Sequence, residues 1–287
     1  MRVGIIGLGL IGGSMALDLR KRGFADEVIG VEADAVNAAL AVRLGLVDRL
    51  AGYEECLSQS DVVVLAVPSG VAEKMLPDIL DRIAAGSGEN DCRKIVTDVC
   101  SVKERLAGCV QGHPLRGRYV AAHPMAGTEC SGPSAAVYGL FDGHACIICD
   151  GESSSEDAVS TVSELFSSLG MRLLHMAAAD HDVHAAYVSH ISHVTSFALA
   201  LTVLDKEKDE KHIFDLASGG FSSTVRLAKS SPDMWTPVLA MNRDNVLEVM
   251  DTYMSKMRMF RDAVASGDND AVHELIARAN IIRRIIK

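Results

Sequence analysis

The chain has 287 residues, 48% of them apolar, enough for one large or two modest domains with a filled core. Acidic and basic residues are interspersed and the formal net charge is −10, which argues against a nucleic-acid surface, since that requires a basic stripe. Seven cysteines, odd in number and without framework spacing, indicate free thiols in a reducing cytoplasm, and no stretch approaches the roughly 18 uninterrupted apolar residues of a membrane span.

The opening segment MRVGIIGLGLIGGS has a short apolar run broken by glycines, with no small-residue cleavage site after it, so it is not a signal peptide. β-branched runs at 3–6, 28–31, 62–67, 95–97, 119–122 and 145–149 alternate with amphipathic stretches at 11–22, 34–44, 70–84 and 156–169. Strands alternating with helices predict a doubly wound parallel sheet, an α/β dinucleotide-binding (Rossmann-like) domain over residues 1–176. Most of the prolines are expected at ends of apolar runs, in loops. Cys146 and Cys149 form a C-x-x-C inside a strand, where residues three apart face opposite sides. With no second pair to complete a zinc site, no metal is expected there.

Past residue 177 the period changes. Tyr187, Ile191, Val194, Ala198 and Leu201 recur at helical spacing, as do Val246, Val249, Tyr253, Met257 and Phe260, and Val272, Leu275, Ala279 and Ile282. Residues 177–287 are therefore read as an all-α domain. A helix over residues 178–205 would be about 40 Å long, too long to bury its apolar stripe within roughly 110 residues. A homodimer built on this helical half is the expected solution. No further regulatory module is expected beyond these helices.

Gly7-Leu8-Gly9-Leu10-Ile11-Gly12 is a G-x-G-x-x-G that directly follows a strand and opens a helix. Gly7 permits the turn, Gly9 lets the backbone approach a pyrophosphate, and Gly12 lets helix and strand pack closely. The helix N-terminus offers unpaired N–H groups to the phosphates. Glu32, 20 residues after Gly12 at the end of the second apolar run, is placed to hold the ribose hydroxyls of NAD. The following Ala33-Asp34-Ala35 brings no cation for a 2′-phosphate, so NAD is expected over NADP.

Two polar segments follow later apolar runs: DVCSVK at 98–103 and HPMAGTE at 123–129. Both belong at the carboxyl edge of the sheet, beside the cofactor crevice. Together with GLGLIGGS at 7–14, SHISH at 189–193 and STVRLA at 223–228, the chain resembles the prephenate and arogenate dehydrogenases, NAD-dependent enzymes of tyrosine biosynthesis, over nearly its whole length. The resemblance implies that His123 is the catalytic histidine, accepting the hydrogen bond of the substrate's C4 hydroxyl, with Ser101 orienting both. It implies that Arg226 holds a substrate carboxylate, that His193 lies near the substrate, and that Glu129 and Trp235 line the site. Histidine suits a base that must act near neutral pH, and arginine's planar fork suits a carboxylate.

The chain departs from that family in two places. Ser192 stands where many relatives carry proline in SH-x-x-H, which would straighten the helix around His193. Ser222 and Ser223 replace an arginine–aspartate pair that precedes the key arginine in many relatives; without that acid the ammonium of arogenate lacks a partner, which favours prephenate, unless Glu129 serves. Gly219-Gly220 with Ser222-Ser223 suggests a loop lip around Arg226. His190 and His193 lack a third ligand for a metal, and His181 and His184 read as helix surface or packing. A β-hydroxyacid dehydrogenase or imine reductase usually places a catalytic lysine, or another polar residue, on the long helix, which here offers His190 and His193 and no lysine until Lys206. A non-catalytic NAD-binding regulator would have no need of Ser101, His123 and Arg226 together.

Overall fold

The computed structural model describes residues 1–87, 93–209 and 212–285. Eight strands form one sheet in the order β3-β2-β1-β4-β5-β6-β7-β8: β1 Arg2–Ile6, β2 Glu27–Val31, β3 Arg49–Leu50, β4 Val62–Leu65, β5 Ile95–Asp98, β6 Tyr119–Pro124, β7 Ala145–Cys149 and β8 Arg172–Met176. The first six run parallel in the order expected of a dinucleotide-binding domain. The sheet is not wholly parallel: β7 runs antiparallel to β6, with His123 opposite Ile147, and β8 then pairs parallel to β7. Two strands escaped the sequence reading. β3 has only two residues, and β8 is an edge strand with mostly exposed side chains, so neither carries a buried apolar run.

In β4 the alternation is visible at atomic level. Val62 and Val64 enter one core layer and Val63 and Leu65 the other, so a strand covered on both faces reads as an unbroken apolar run. Helices α1 Leu10–Lys21, α2 Ala35–Arg43 and α6 Glu156–Ser168 contribute buried side chains to the first layer. Helices α3 Tyr53–Gln59, α4 Ser69–Ser87 and α5 Glu104–Gly108 contribute to the second. Cys146 and Cys149 fall in opposite layers, both buried as free thiols. Asp34 caps α2 by accepting from Asn37 N at 2.8 Å. Pro77 lies inside α4 rather than in a loop. Its missing N–H leaves the Glu73 carbonyl without a helical donor; the Cys109 Sγ lies 3.7 Å from that oxygen but 3.0 Å from the Leu106 carbonyl, which takes its single hydrogen.

Helix α7 Ala178–Ala185 runs through a π turn, Ala186–His190, into α8 Ile191–Asp209. The resulting helix is long and apolar enough by length and composition to cross a membrane, with a mean hydropathy of 1.3 in its most apolar window. His181, Asp182, His190 and Ser196 of this helix are buried and hydrogen-bond to neighbouring elements, while only 11% of its apolar window is buried. Short helix α9 Gly219–Thr224 and helix α10 Pro232–Met241 complete the first compact unit, which ends at Asn242. A second unit begins at Arg243 and holds α11 Arg243–Ser266 and α12 Asn269–Ala279, joined through Gly267 at φ +68°. Tyr253, Met254, Met257, Ile276, Ile281 and Ile282 are exposed apolar side chains of this unit.

Candidate active site

The glycine loop turns sharply between β1 and α1. Gly7 sits at φ +97°, and a Cβ there would stand 2.4 Å from the Ala66 carbonyl oxygen. A Cβ on Gly12 would stand 1.9 Å from the Gly7 oxygen, so the helix packs against the turn only without one. Gly9 differs: nothing lies within 4 Å of an added Cβ, and no side chain caps the helix there. Gly9 therefore keeps open the space before the N–H groups that begin α1, as a bound pyrophosphate requires. Leu8 is buried beneath the loop, Leu10 begins α1, and Ile11 is partly buried against the first core layer. Glu32 accepts from Leu8 N at 2.9 Å and Asp34 N at 3.1 Å, which fixes its carboxylate at the rim of the loop. These residues fit an adenine dinucleotide with free ribose hydroxyls.

The second edge of the crevice comes from the segments after β5 and β6. A Cβ on Gly127 would lie 3.8 Å from Ile11 Cδ1, so the HPMAG segment runs beside the start of α1. His123 is the penultimate residue of β6 and is buried. Its Nδ1 lies 2.8 Å from His181 Nε2, and its own Nε2 has no hydrogen-bond partner among the described residues. Burial pushes the His123 pKa well below the usual histidine value, and His181, Lys103 and His190 push the same way.

Beneath it lies a polar cluster that the sequence did not reveal. Lys103 and Asp98 form a fully buried ion pair. Tyr119 donates its hydroxyl to Asp98 Oδ2 at 2.6 Å, Cys100 N donates to Oδ1 at 2.8 Å, and Lys103 donates to the Ala122 carbonyl at 2.6 Å. The loop carrying Ser101 is thus tied to the residue preceding His123. Ser101 itself is partly exposed, and its hydroxyl forms no hydrogen bond among the described residues.

The third wall is helical. Val102 packs with buried Trp235 and Val238, and Trp235 stacks on His193 with ring centroids 3.6 Å apart. Trp235 is therefore a core anchor on one side and the floor under His193 on the other. His193 Nδ1 donates to the Ser189 carbonyl at 3.1 Å, and its Nε2 has no hydrogen-bond partner among the described residues. His190 is buried one turn earlier and accepts from Asn242 Nδ2 at 3.2 Å; its Nε2 and the Trp235 Nε1 are buried without partners among the described residues. The π turn at Ala186–His190 widens the helix immediately before Ser192, so the helix is not regular here.

Arg226 does not lie on a loop lip. It opens a 3-10 turn after α9, and Ser196 ties the end of α9 to α8 by donating to the Thr224 carbonyl at 3.0 Å. Arg226 donates to Glu129 Oε2 at 2.6 Å, joining the helical wall to the HPMAGTE segment. Of the two histidines read as helix surface or packing, His181 is buried and packed against His123, a site contact the sequence reading did not assign, and His184 is exposed. The adjacent His181-Asp182 pair near the start of a helix is a signal that could have pointed to this arrangement.

The family model described as prephenate dehydrogenase, nucleotide-binding domain, matches residues 15–175, and that described as prephenate dehydrogenase, dimerization domain, matches residues 177–278. The chain is 30% identical to prephenate dehydrogenase of Bacillus subtilis over 92% of its length and 70% of that protein. It is 29% identical to cyclohexadienyl dehydrogenase of Zymomonas mobilis over 99% of its length and 96% of that protein. Its fold superposes on prephenate dehydrogenase of A. aeolicus, solved in complex with hydroxyphenyl propionate and NAD+, with a TM-score of 0.88 and 27% identity, covering 100% of this chain and 98% of that one. With both of its parts matched, the chain belongs to the prephenate dehydrogenase family.

Proposed function

We propose that the protein oxidatively decarboxylates prephenate to 4-hydroxyphenylpyruvate with reduction of NAD, a step of tyrosine biosynthesis. The observation that carries this reading is the free Nε2 of His123 at the sheet edge, beside a glycine loop open at Gly9. The Gly7–Gly12 loop would hold NAD with Glu32 at its ribose, and NAD would supply the hydride acceptor. His123 Nε2 takes the C4 hydroxyl proton as hydride leaves that carbon, with Ser101 orienting the hydroxyl. The bond to the ring carboxylate then breaks, its electrons aromatise the ring, CO₂ departs, and His123 returns the proton to the phenolate oxygen. Release of CO₂ and aromatisation make the step effectively irreversible without a strong acid.

Arg226 anchors the side-chain carboxylate rather than the departing one, because pairing with the departing group would stabilise the ground state more than the transition state. His193, Glu129 and Trp235 line the substrate space. The domain boundary falls near Met176, the helical half forms a homodimer, and the enzyme works in the cytoplasm. The dimer reading rests on the dimerization-domain match and on the exposed apolar side chains of α11 and α12.

Arogenate is the second reading, favoured by one feature: Glu129 offers a carboxylate beside Arg226, where an ammonium group would find a partner. The test follows formation of reduced nicotinamide by its ultraviolet absorbance, with NAD or NADP and either substrate. Turnover of prephenate with NAD supports the main reading; turnover of arogenate alone moves the assignment to the amino acid. No turnover of either overturns both, and equal efficiency with NADP overturns the role of Glu32.

A further inference from the structure

His181 lies 58 residues from His123 in sequence, yet the two rings meet edge to face with Nε2 and Nδ1 2.8 Å apart. On its other side, His181 Nδ1 lies 2.7 Å from Asp182 Oδ1. Asp182 is held in turn by the backbone N–H groups of Lys103 and Glu104, at 2.8 and 3.0 Å. His123, His181 and Asp182 are only 8%, 2% and 2% exposed.

The hydrogen positions follow from what each group can do. A carboxylate oxygen accepts, so His181 Nδ1 carries the hydrogen between them. A neutral imidazole has one N–H, so His181 Nε2 is an acceptor. His123 Nδ1 must then donate to it, and His123 Nε2 keeps its lone pair. The opposite polarity would place a hydrogen on His123 Nε2 and disable it as a base.

We propose that His181, oriented by Asp182, is a positioning residue that fixes His123 in its Nδ1–H tautomer and presents Nε2 to the substrate hydroxyl. This rests on the reading of His123 as the base. As the hydroxyl O–H breaks and the Nε2–H bond forms, C4 becomes able to release its hydride, which a nicotinamide held at the glycine loop would accept. The His123 imidazolium then donates to a ring whose other nitrogen faces a carboxylate, an arrangement that stabilises the new positive charge. Return of the proton to the phenolate oxygen restores all three side chains.

Two measurements test it. In the ligand-free protein labelled with ¹⁵N-histidine, nuclear magnetic resonance is expected to show His123 Nδ1 as the hydrogen-bearing nitrogen and Nε2 as the bare one. In steady-state kinetics His181→Phe, which removes the acceptor, is expected to lower kcat about 100-fold while KM stays within about threefold. His181→Gln, whose amide oxygen can accept in place of Nε2, is expected to recover at least about tenfold of that loss. A His123 bearing hydrogen on Nε2 in the wild-type protein overturns the proposal whether or not the phenylalanine variant folds. So does a His181→Phe enzyme with kcat within about threefold of wild type. A wild-type protein with the expected tautomer that turns over neither prephenate nor arogenate supports the histidine arrangement and sinks the proposed reaction. Turnover with the wrong tautomer does the reverse.

Discussion

Arg226 donates to Glu129 at 2.6 Å across the mouth of the crevice, so the cation proposed to hold a substrate carboxylate is already paired with a carboxylate of the chain. The Arg226 side chain is half exposed, so solvent screens the pair and exchange for a substrate anion is easy. The Glu129 pKa is lowered first by its own backbone N–H and then by Arg226. Arg226→Ala is expected to raise the KM for prephenate about 10- to 100-fold, with kcat within about threefold. A large fall in kcat at unchanged KM would assign Arg226 to the transition state instead. Glu129→Gln is expected to lower the prephenate KM roughly threefold by removing the competitor. A specific rise in the arogenate KM in the same variant would place the ammonium on Glu129.

The glycines of the loop should separate cofactor binding from folding. Gly9→Ala meets nothing in the chain and is expected to leave the melting temperature within about 2 °C while abolishing calorimetric NAD binding. Gly12→Ala drives a Cβ into the Gly7 carbonyl and is expected to lower the melting temperature itself. Equal thermal effects of the two substitutions would contradict this division.

Burial lowers the pKa values of His123, His190 and His193, so the folded chain binds fewer protons than the unfolded one at mildly acidic pH. For His190 the value is pushed down to about 4; burial is the leading cause, Asp182 opposes it, and His181 and His193 add to it. Stability from this residue is fully present above its ordinary pKa of 6.5 and is lost as pH falls towards 4, in total roughly 3 kcal/mol. Urea unfolding from pH 7 to 4 is expected to show that loss, with a shallower slope in His190→Gln. In kinetics, the acid limb of kcat/KM is expected below the ordinary histidine range, because His123 remains an unprotonated base there. A limb at or above 6.5 would argue against His123 as its source.

The buried Lys103–Asp98 pair should be costly to break from one side. Lys103→Met leaves Asp98 without its cation in a fully buried site and is expected to destabilise the fold by about 3–5 kcal/mol in urea unfolding. The double variant Lys103→Met with Asp98→Asn should recover part of that loss. If the double variant is as unstable as the sum of the two single ones, the pair is not coupled.

What was legible in the sequence was what local pattern dictates. Unbroken β-branched runs and period-3.6 stretches placed six of the strands and four of the helices flanking the sheet, because a strand buried on both faces is apolar throughout and a helix packed on one side carries one apolar stripe. The glycines at 7 and 12, which a turn and close packing require, and Glu32, which accepts from Leu8 N, were legible as the loop proposed to hold the cofactor. Only the tertiary structure decided that β7 turns antiparallel, that Lys103 and Asp98 pair in the core, and that His181 backs His123. These depend on the register at which α7 lies against the end of β6, and on how much water the surrounding layers exclude. Such a contact between residues 58 apart leaves no periodic trace, and a buried histidine reads in sequence like an exposed one.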